Sequence, residues 1–185
     1  MITRRGFWFL RHGQTDWNGS GRWQGQTDVP LNALGEAQAR AAGPLLRGAG
    51  IEVICSSPLG RARRTADLVA ATLGVPVFDI PGLLEMDVGP YEGRTEGHWL
   101  ESWRADEAVP GIEPFPAFRR RIAAAINHAL GHPGEVLVVA HGGVFWALER
   151  LCGRPGFTRL PNCAPARLTP AGATSWRLEI SGLIE

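Results

Sequence analysis

Five side chains spread along the sequence have the right chemistry to act on a phosphate ester. They are Arg11, His12, Arg61, Glu85 and His141. Arginine presents a planar fork of N–H donors that matches phosphate oxygens, and a neutral imidazole is a competent nucleophile near pH 7. A carboxylic acid can protonate a departing alkoxide and then deprotonate water. The set therefore indicates chemistry on a phosphoryl group.

The two histidines occur in the same local pattern. The apolar run GFWFL at 6–10 ends in Arg11-His12-Gly13, and the apolar run VLVVA at 136–140 ends in His141-Gly142-Gly143. Glycine lets the backbone approach a bound group closely, and the first N–H groups of a helix beginning near Val144 could help to hold an anion. Both histidines are predicted at the carboxyl edge of one sheet, where open α/β sheets bind ligands.

Two further segments bring the remaining side chains towards the same edge. The strand-like run IEVICS at 51–56 leads through Pro58 to Arg61, and the run PVFDI at 76–80 leads to Glu85. Asp87 and Glu92 are nearby carboxylates that could take the place of Glu85 as the acid.

Strand-like and helix-like segments alternate along the chain. We predict strands at 6–10, 51–56, 75–80, 136–140 and about 174–180, and helices at 34–46, 59–73, 117–130 and 144–151. Asn32 caps the first of these helices, and Pro44 predicts a kink or break within it. Solidly apolar strands in this order predict an α/β fold, a three-layer α-β-α sandwich with a mainly parallel central sheet. We expect a single domain over 1–185 with a short loop and helix insert at about 94–116.

Composition excludes several classes of partner. The chain has 19 Lys and Arg against 18 Asp and Glu, a net charge of +1, which argues against binding to nucleic acid or to an anionic membrane. No apolar run has the length of a membrane span. The three cysteines, Cys55, Cys152 and Cys163, fit neither a disulfide framework nor a zinc site, so a cytoplasmic protein is predicted. His128 and His132 have i, i+4 spacing, but Gly131 interrupts the helix and a third metal ligand is lacking.

Taken together, the motifs resemble those of the histidine phosphatase superfamily, in its phosphoglycerate-mutase-like branch. The resemblance runs from Phe7 to about Thr169. It is carried by Leu10-Arg11-His12-Gly13-Gln14-Thr15 with Asn18, by Gln24-Gly25 through Gly35, by Ser56-Ser57-Pro58-Leu59 with Arg61 and Thr65, by Glu85 with Gly89 and Glu92-Gly93, and by His141-Gly142-Gly143 and Asn162. Gln14 stands where Glu is more common.

The resemblance implies a role for each site residue. His12 would become phosphohistidine, and Glu85 would protonate the leaving group and then activate water. Arg11, Arg61 and His141 would bind the phosphoryl oxygens. Asn18 and the N–H of Gly142 would assist, and Gln24 and Gly25 would also belong to the phosphate or substrate site. No metal and no cofactor would be needed.

Two tryptophans leave two interpretations open. Trp99 and Trp103 have i, i+4 spacing in the insert, so they could share one helical face. They could form a hydrophobic wall over the leaving group of the substrate, and they are therefore candidate binding residues. Alternatively, they could form a local cluster that holds the insert in place.

Three functions are compatible with this set of residues. A phosphomonoester phosphatase, a phosphoglycerate-type mutase and a non-catalytic phosphate binder would share the same site. Only 17 residues separate Gly93 from Gly111, and such a short insert leaves an open site that favours hydrolysis. Few lysines or arginines outside the core site are obvious partners for a second phosphate, so we predict a small, monophosphorylated, partly apolar metabolite. A homodimer stays open.

Overall fold

The computed structural model describes residues 1–181, and its centre is a six-stranded sheet. The strands are β1 (Phe7–Arg11), β2 (Ile51–Ser56), β3 (Val77–Asp79), β4 (Glu135–Ala140), β5 (Pro165–Ala171) and β6 (Ser175–Ile180), in the spatial order β3-β2-β4-β1-β5-β6. The first four are parallel to one another, whereas β5 pairs antiparallel with both β1 and β6. This is the predicted mainly parallel α/β fold.

Six α-helices connect and cover the strands in the described part of the chain. They are α1 (Asp16–Gly19), α2 (Ala33–Leu45), α3 (Gly60–Leu73), α4 (Leu100–Arg104), α5 (Phe115–Ala129) and α6 (Gly142–Leu151), with short 3₁₀ turns at Pro81–Leu83 and Gly89–Tyr91. The side chain of Asn32 accepts a hydrogen bond from Gly35 N at the start of α2, as its position predicts. Gly74, with φ of 72°, ends α3.

The alternation of side chains along the strands creates two cores. In β1, Phe7 and Phe9 face the core beneath α5 and α6, while Leu10 faces the core beneath α2 and α3. Val138 and Val139 of β4 divide in the same way between the two cores. Because the central strands are buried on both faces, they are apolar at nearly every position.

Three details differ from the sequence prediction. β5 was not predicted, because Pro165 and Pro170 at its two ends are typical of turns. Pro44 does not break α2 in its middle, since the helix ends one residue later at Leu45. β3 is shorter than the predicted 75–80, and Pro76, which has no N–H to donate, immediately precedes it. None of the helices in the described range is long and apolar enough to cross a bilayer.

A close approach of two glycines fixes the loop after β1 against α2. A Cβ built on Gly35 would overlap the carbonyl oxygen of Gln14 and would lie 2.7 Å from Gln14 N. A Cβ on Gly13 would likewise overlap the carbonyl of Gly35. The hydrogen bond of Asn32 N to Gln14 O, 3.0 Å long, closes the same contact. The backbone beside His12 is therefore positioned by a contact that only glycine permits.

We expect Gly35→Ala to lower the free energy of unfolding by about 1–3 kcal/mol, since the added methyl meets backbone that cannot rotate away. The melting temperature should fall by roughly 3–10 °C in a calorimetric scan. Gly19→Ala is the matched control, because a methyl group added there would have its nearest neighbouring atom 3.8 Å away. Equal melting temperatures for Gly35→Ala and Gly19→Ala would contradict the close contact.

Candidate active site

The two histidines lie side by side at the carboxyl edge of the sheet. β1 and β4 are adjacent and parallel, with Arg11 in register with Ala140, so the next residue of each strand is a histidine. The ring centroids of His12 and His141 are 5.2 Å apart. Both side chains are buried. The sequence pattern of two strand ends therefore brings the two imidazole rings together.

The hydrogen bonds of His12 define which ring nitrogen is free to react. Its Nδ1 lies 2.7 Å from the carbonyl oxygen of Gly13, and a carbonyl only accepts, so Nδ1 carries the proton. Nε2 therefore keeps its lone pair. Burial first, and then the charges of Arg61 and Arg11, lower the pKa of His12 well below its ordinary value. The ring is a neutral base with one nucleophilic nitrogen.

Arg61 is buried at the first turn of α3. Its Nη1 donates to Thr27 O and its Nη2 to Gly25 O, each at 2.7 Å. Its Nε is buried and has no hydrogen-bond partner among the described residues. Gly25 thus contributes a carbonyl that orients Arg61, and with φ of 50° it adopts a conformation that favours glycine.

Arg11 also belongs to the wall around His12. Its Nη1 donates to Leu160 O at 2.9 Å, and its Nε is also buried without a partner in the described part of the chain. Burial is the main cause that lowers the pKa of this guanidinium. Two unpaired, buried guanidinium N–H groups beside a neutral imidazole make a strong anion site.

Glu85 provides the carboxyl group of the pocket. Its two oxygens accept hydrogen bonds from Met86 N at 2.9 Å and from Gly143 N at 3.0 Å, the latter in the first turn of α6. Burial raises the pKa of Glu85, although these hydrogen bonds and the charges of Arg61 and Arg11 oppose the rise. A raised pKa keeps a carboxyl group available as a proton donor nearer neutral pH.

The loop that carries Glu85 is held from α5. Arg121 donates to the carbonyls of Gly82 and Leu84 at 3.0 and 2.8 Å, and it forms an ion pair with Glu113 at 2.6 Å. Its position on α5 gives no signal of this role, because the contact depends on tertiary packing.

The two carboxylates that competed with Glu85 in the sequence lie in other surroundings. Asp87 is exposed and accepts a hydrogen bond from Gly89 N at 2.8 Å. Glu92 accepts from Gln26 N at 2.8 Å and from the hydroxyl of Thr27. Glu92 therefore supports the loop that orients Arg61, and of the three only Glu85 lines the cavity.

His141 is paired through its other ring nitrogen. Nε2 lies 2.7 Å from Ser57 Oγ, while Nδ1 is buried without a partner in the described structure. Ser57 Oγ already accepts from Leu59 N at 3.4 Å, and no other acceptor for its proton occurs among the described residues. The arrangement in which Ser57 donates to Nε2 therefore satisfies both groups, and it leaves Nδ1–H as a donor.

Supporting side chains fix the loop that follows β1. Thr65 accepts a hydrogen bond from Gly13 N at 3.0 Å and donates to Arg61 O at 2.7 Å. Asn162 donates to His12 O at 2.7 Å. Thr65 and Asn162 belong to the motifs seen in the sequence, but their contacts could not be read from spacing alone.

These groups surround a cavity of about 410 Å³, a size typical of small-molecule sites. Its lining includes the predicted residues Arg11, His12, Asn18, Gln24, Gly25, Arg61, Glu85 and Gly142. Asn18 also caps α1 in a reciprocal pair with Thr15. Gln24 accepts a hydrogen bond from Thr15 Oγ1 at 2.9 Å. His141 lies behind this wall, against His12.

The structure corrects the expectation that Trp99 and Trp103 line the cavity. Their exposed fractions are 3% and 0%, and both belong to the core under α5. Trp103 Nε1 donates to Glu113 O at 2.7 Å, which turns the ring inward. The alternative interpretation, a cluster that holds the insert, describes their positions. The aromatic wall of the cavity consists instead of Trp23, Trp146 and Phe157.

Sequence reasoning also missed three arginines. Arg22, Arg104 and Arg159 line the cavity, although the sequence offered few obvious cationic partners beyond the core site. Each lies in a loop or at a helix end away from the strand ends, so only the fold reveals their convergence. No cluster of three or more His, Cys, Asp or Glu side chains suited to a metal ion occurs among the described residues.

A comparison with known families decides where this geometry belongs. The sequence model of the histidine phosphatase superfamily (branch 1) matches residues 7–177. The chain belongs to this superfamily. Relatives and structural neighbours are named as phosphatases or mutases, and the chain is an enzyme of that general type.

Individual relatives of this histidine phosphatase superfamily member carry both kinds of name. A Proteus mirabilis protein named "Probable phosphoglycerate mutase GpmB" is 34% identical, over 95% of this chain and 91% of the relative. A Bacillus subtilis protein named "Uncharacterized phosphatase PhoE" is 35% identical, over 92% and 90%. The structure of a mycobacterial glucosyl-3-phosphoglycerate phosphatase is similar with a TM-score of 0.82 and 30% identity, over 95% and 98%.

We expect nitrogen-15 NMR to show both His12 and His141 as neutral Nδ1–H tautomers at about pH 6, below the ordinary imidazole pKa. Burial lowers the pKa of each ring, so protonation is delayed to lower pH. Ser57→Ala should remove the tautomer preference of His141 alone. Ser56→Ala is the control, because Ser56 Oγ bonds to Ser57 O and not to the ring. A wild-type His141 protonated on Nε2 would refute the assignment.

Proposed function

We propose that the protein is a metal-independent phosphomonoester phosphatase that acts through phosphohistidine at His12 on a small phosphorylated metabolite. The observation that carries the proposal is the free Nε2 of a neutral His12, in a pocket that also contains the unpaired Nε–H groups of Arg11 and Arg61. A nucleophile with its lone pair available at neutral pH stands where a phosphate would bind.

Binding of the phosphoryl group would use the donors around His12. Arg11 and Arg61 would hold two of the three non-bridging oxygens, and Nδ1–H of His141 and N–H of Gly142 would donate to the third. Asn18 lies in the same wall and would assist. Charge in the transition state of phosphoryl transfer spreads over these oxygens, and fixed donors already aimed at them need no reorganisation during the reaction.

Glu85 would serve as acid and base in turn. In the first step Nε2 of His12 attacks phosphorus, the bond to the ester oxygen breaks, and protonated Glu85 gives its proton to that oxygen. In the second step the Glu85 carboxylate takes a proton from water, the water oxygen attacks phosphorus, and His12 leaves as the neutral imidazole. The raised pKa of Glu85 supports the first of these duties.

Hydrolysis and mutase chemistry differ in what accepts the phosphoryl group from His12. Relatives carry both names, so similarity alone does not choose between them. The insert after Glu85 contains only one short helix in the described structure, α4, of five residues, and it contributes Leu100 and Arg104 to the cavity. We favour hydrolysis because so small an insert leaves the phosphorylated histidine open to water.

The cellular setting is a further part of the proposal. Cys55, Cys152 and Cys163 are all free and buried, which suits a reducing compartment such as the cytoplasm.

We expect His12→Ala to lower kcat/KM for an aryl phosphate by at least about 1000-fold, since the nucleophile is removed. Activity of the wild type should persist in EDTA. His128→Ala, a change at an exposed histidine outside the site, is the matched control and should retain activity. Turnover that survives in His12→Ala would refute phosphohistidine chemistry, and inactivation by EDTA would refute metal independence.

We expect Glu85→Gln to lower kcat/KM for alkyl phosphates by about 100-fold and for aryl phosphates by less than about tenfold. The reason is that phenoxide leaves without full protonation. Asp87→Asn is the control, as it makes the same chemical change at the neighbouring exposed acid. Equal losses for both ester types in Glu85→Gln would count against Glu85 as the acid.

A further inference from the structure

The cavity contains more positive charge than a phosphate monoester needs. Its lining includes five guanidinium groups, those of Arg11, Arg22, Arg61, Arg104 and Arg159, but a single carboxyl group, Glu85. Arg11 and Arg61 suffice for a phosphoryl dianion. In the described structure Arg22, Arg104 and Arg159 have no carboxylate within 4.0 Å. This surplus of charge is available to the leaving group of a substrate.

Arg104 is held in a fixed orientation by aromatic rings. Its guanidinium carbon lies 4.5 Å from the ring centroid of Phe157 and 5.1 Å from that of Trp146. Its Nε is buried and has no hydrogen-bond partner among the described residues. Stacking fixes the plane of the guanidinium and leaves its edge free for a planar or tetrahedral anion. The buried Nε–H lacks a hydrogen-bond partner until such an anion binds.

Hydrogen bonds hold in place the two residues that flank Arg159, Thr158 and Leu160. Thr158 donates from N and Oγ1 to the buried carboxylate of Glu149, at 2.8 and 2.6 Å. Leu160 O accepts the hydrogen bond from Arg11 described above. The pKa of Arg11 is lowered by burial and, to a smaller degree, by the charge of Arg159, which indicates that the two cations lie near each other. An exposed side chain between two fixed neighbours is well placed at the cavity rim.

Arg22 adds a further cation to the cavity lining. Its Nη1 donates to Gly93 O at 2.8 Å, and its backbone N donates to Trp17 O at 2.8 Å. The remaining N–H groups of the Arg22 guanidinium can meet a ligand.

We infer that the substrate carries a second anionic group on its leaving-group side, a carboxylate or another phosphate, bound by Arg104 and Arg159 with Arg22 nearby. This inference rests on the proposed function and narrows its substrate class. The aromatic rings of Trp146 and Phe157 would pack against the carbon skeleton between the two anions. The phosphate ester of an uncharged sugar or alcohol would leave these cations unpaired, and it would therefore be a poorer substrate.

Two matched substrate pairs test the inference. 3-Phosphoglycerate and glycerol 3-phosphate differ only in a carboxylate against a hydroxymethyl group, and fructose 1,6-bisphosphate and fructose 6-phosphate differ only in a second phosphate. We expect wild-type kcat/KM to favour the doubly anionic member of at least one pair by about tenfold or more, as hydrogen bonds to charged groups typically allow. The pair that shows the preference identifies which anion is bound. Equal rates within both pairs would overturn the inference.

Variants of Arg104 and Arg159 test whether these two residues cause the preference for the doubly anionic substrate. Arg104→Gln and Arg159→Gln should each reduce the selectivity ratio within the favoured pair by about tenfold. Arg159 is exposed, so its variant keeps the test valid if Arg104→Gln fails to fold. Arg119→Gln is the matched control, since Arg119 also lies over an aromatic ring, 5.5 Å from the centroid of Phe115, but does not line the cavity. An unchanged ratio in both test variants would overturn the assignment.

Failure of the inference is distinguishable from failure of the proposed function. If the wild-type enzyme hydrolyses aryl phosphate but shows no preference within either pair, the phosphatase proposal stands and the second anion site is refuted. If it hydrolyses neither aryl phosphate nor any of the four metabolites, both proposals are refuted.

Discussion

The candidate active site depends on two buried guanidinium groups, and the hydrogen-bond partners of both are backbone carbonyls. Arg11 and Arg61 donate to Leu160, Thr27 and Gly25, and neither is paired with a carboxylate in the described structure. A buried cation without a counter-charge is costly, and the cost falls when an anion binds between the two. Burial first, and then these same charges, keep His12 neutral, because a third positive charge beside them would be repelled. Anion binding and nucleophilicity thus depend in part on the same two cations.

Much of the remaining fold holds these cations and the imidazole rings in fixed positions relative to one another. Parallel pairing of β1 with β4 places His12 beside His141, and Thr65 ties α3, which carries Arg61, to Gly13. The glycine contact between Gly13 and Gly35 extends this support to α2. Arg121 of α5 holds the loop of Glu85 from the other layer. Both helical layers therefore support the same site, α2 and α3 through the loop at Gly13 and α5 through the loop of Glu85. This explains why the motifs are spread over so much of the sequence.

The sequence was informative where chemistry coincides with a strand end, and less so elsewhere. The apolar runs before His12 and His141 predicted both the parallel sheet and the meeting of the two rings, because parallel strands deliver their carboxyl ends to one edge. Trp99 and Trp103 show the opposite case, since i, i+4 spacing defines a shared face but not which surface that face meets. β5 was not predicted because it contains prolines, which are typical of turns. Pairing with β1 on one side and β6 on the other stabilises this strand. Arg22, Arg104 and Arg159 could not be found from spacing, because tertiary packing alone brings them together.

The anchoring of the segment around Phe157 and Arg159 has an evolutionary consequence. Glu149 and Trp146 of α6 hold this segment through Thr158, and it supports the reacting end of the cavity through the carbonyl of Leu160. Its exposed side chains could therefore be exchanged in related proteins while the machinery for bond cleavage stays untouched. One scaffold could diversify the metabolites it accepts by changing a surface loop, which is a modular route to new enzymes.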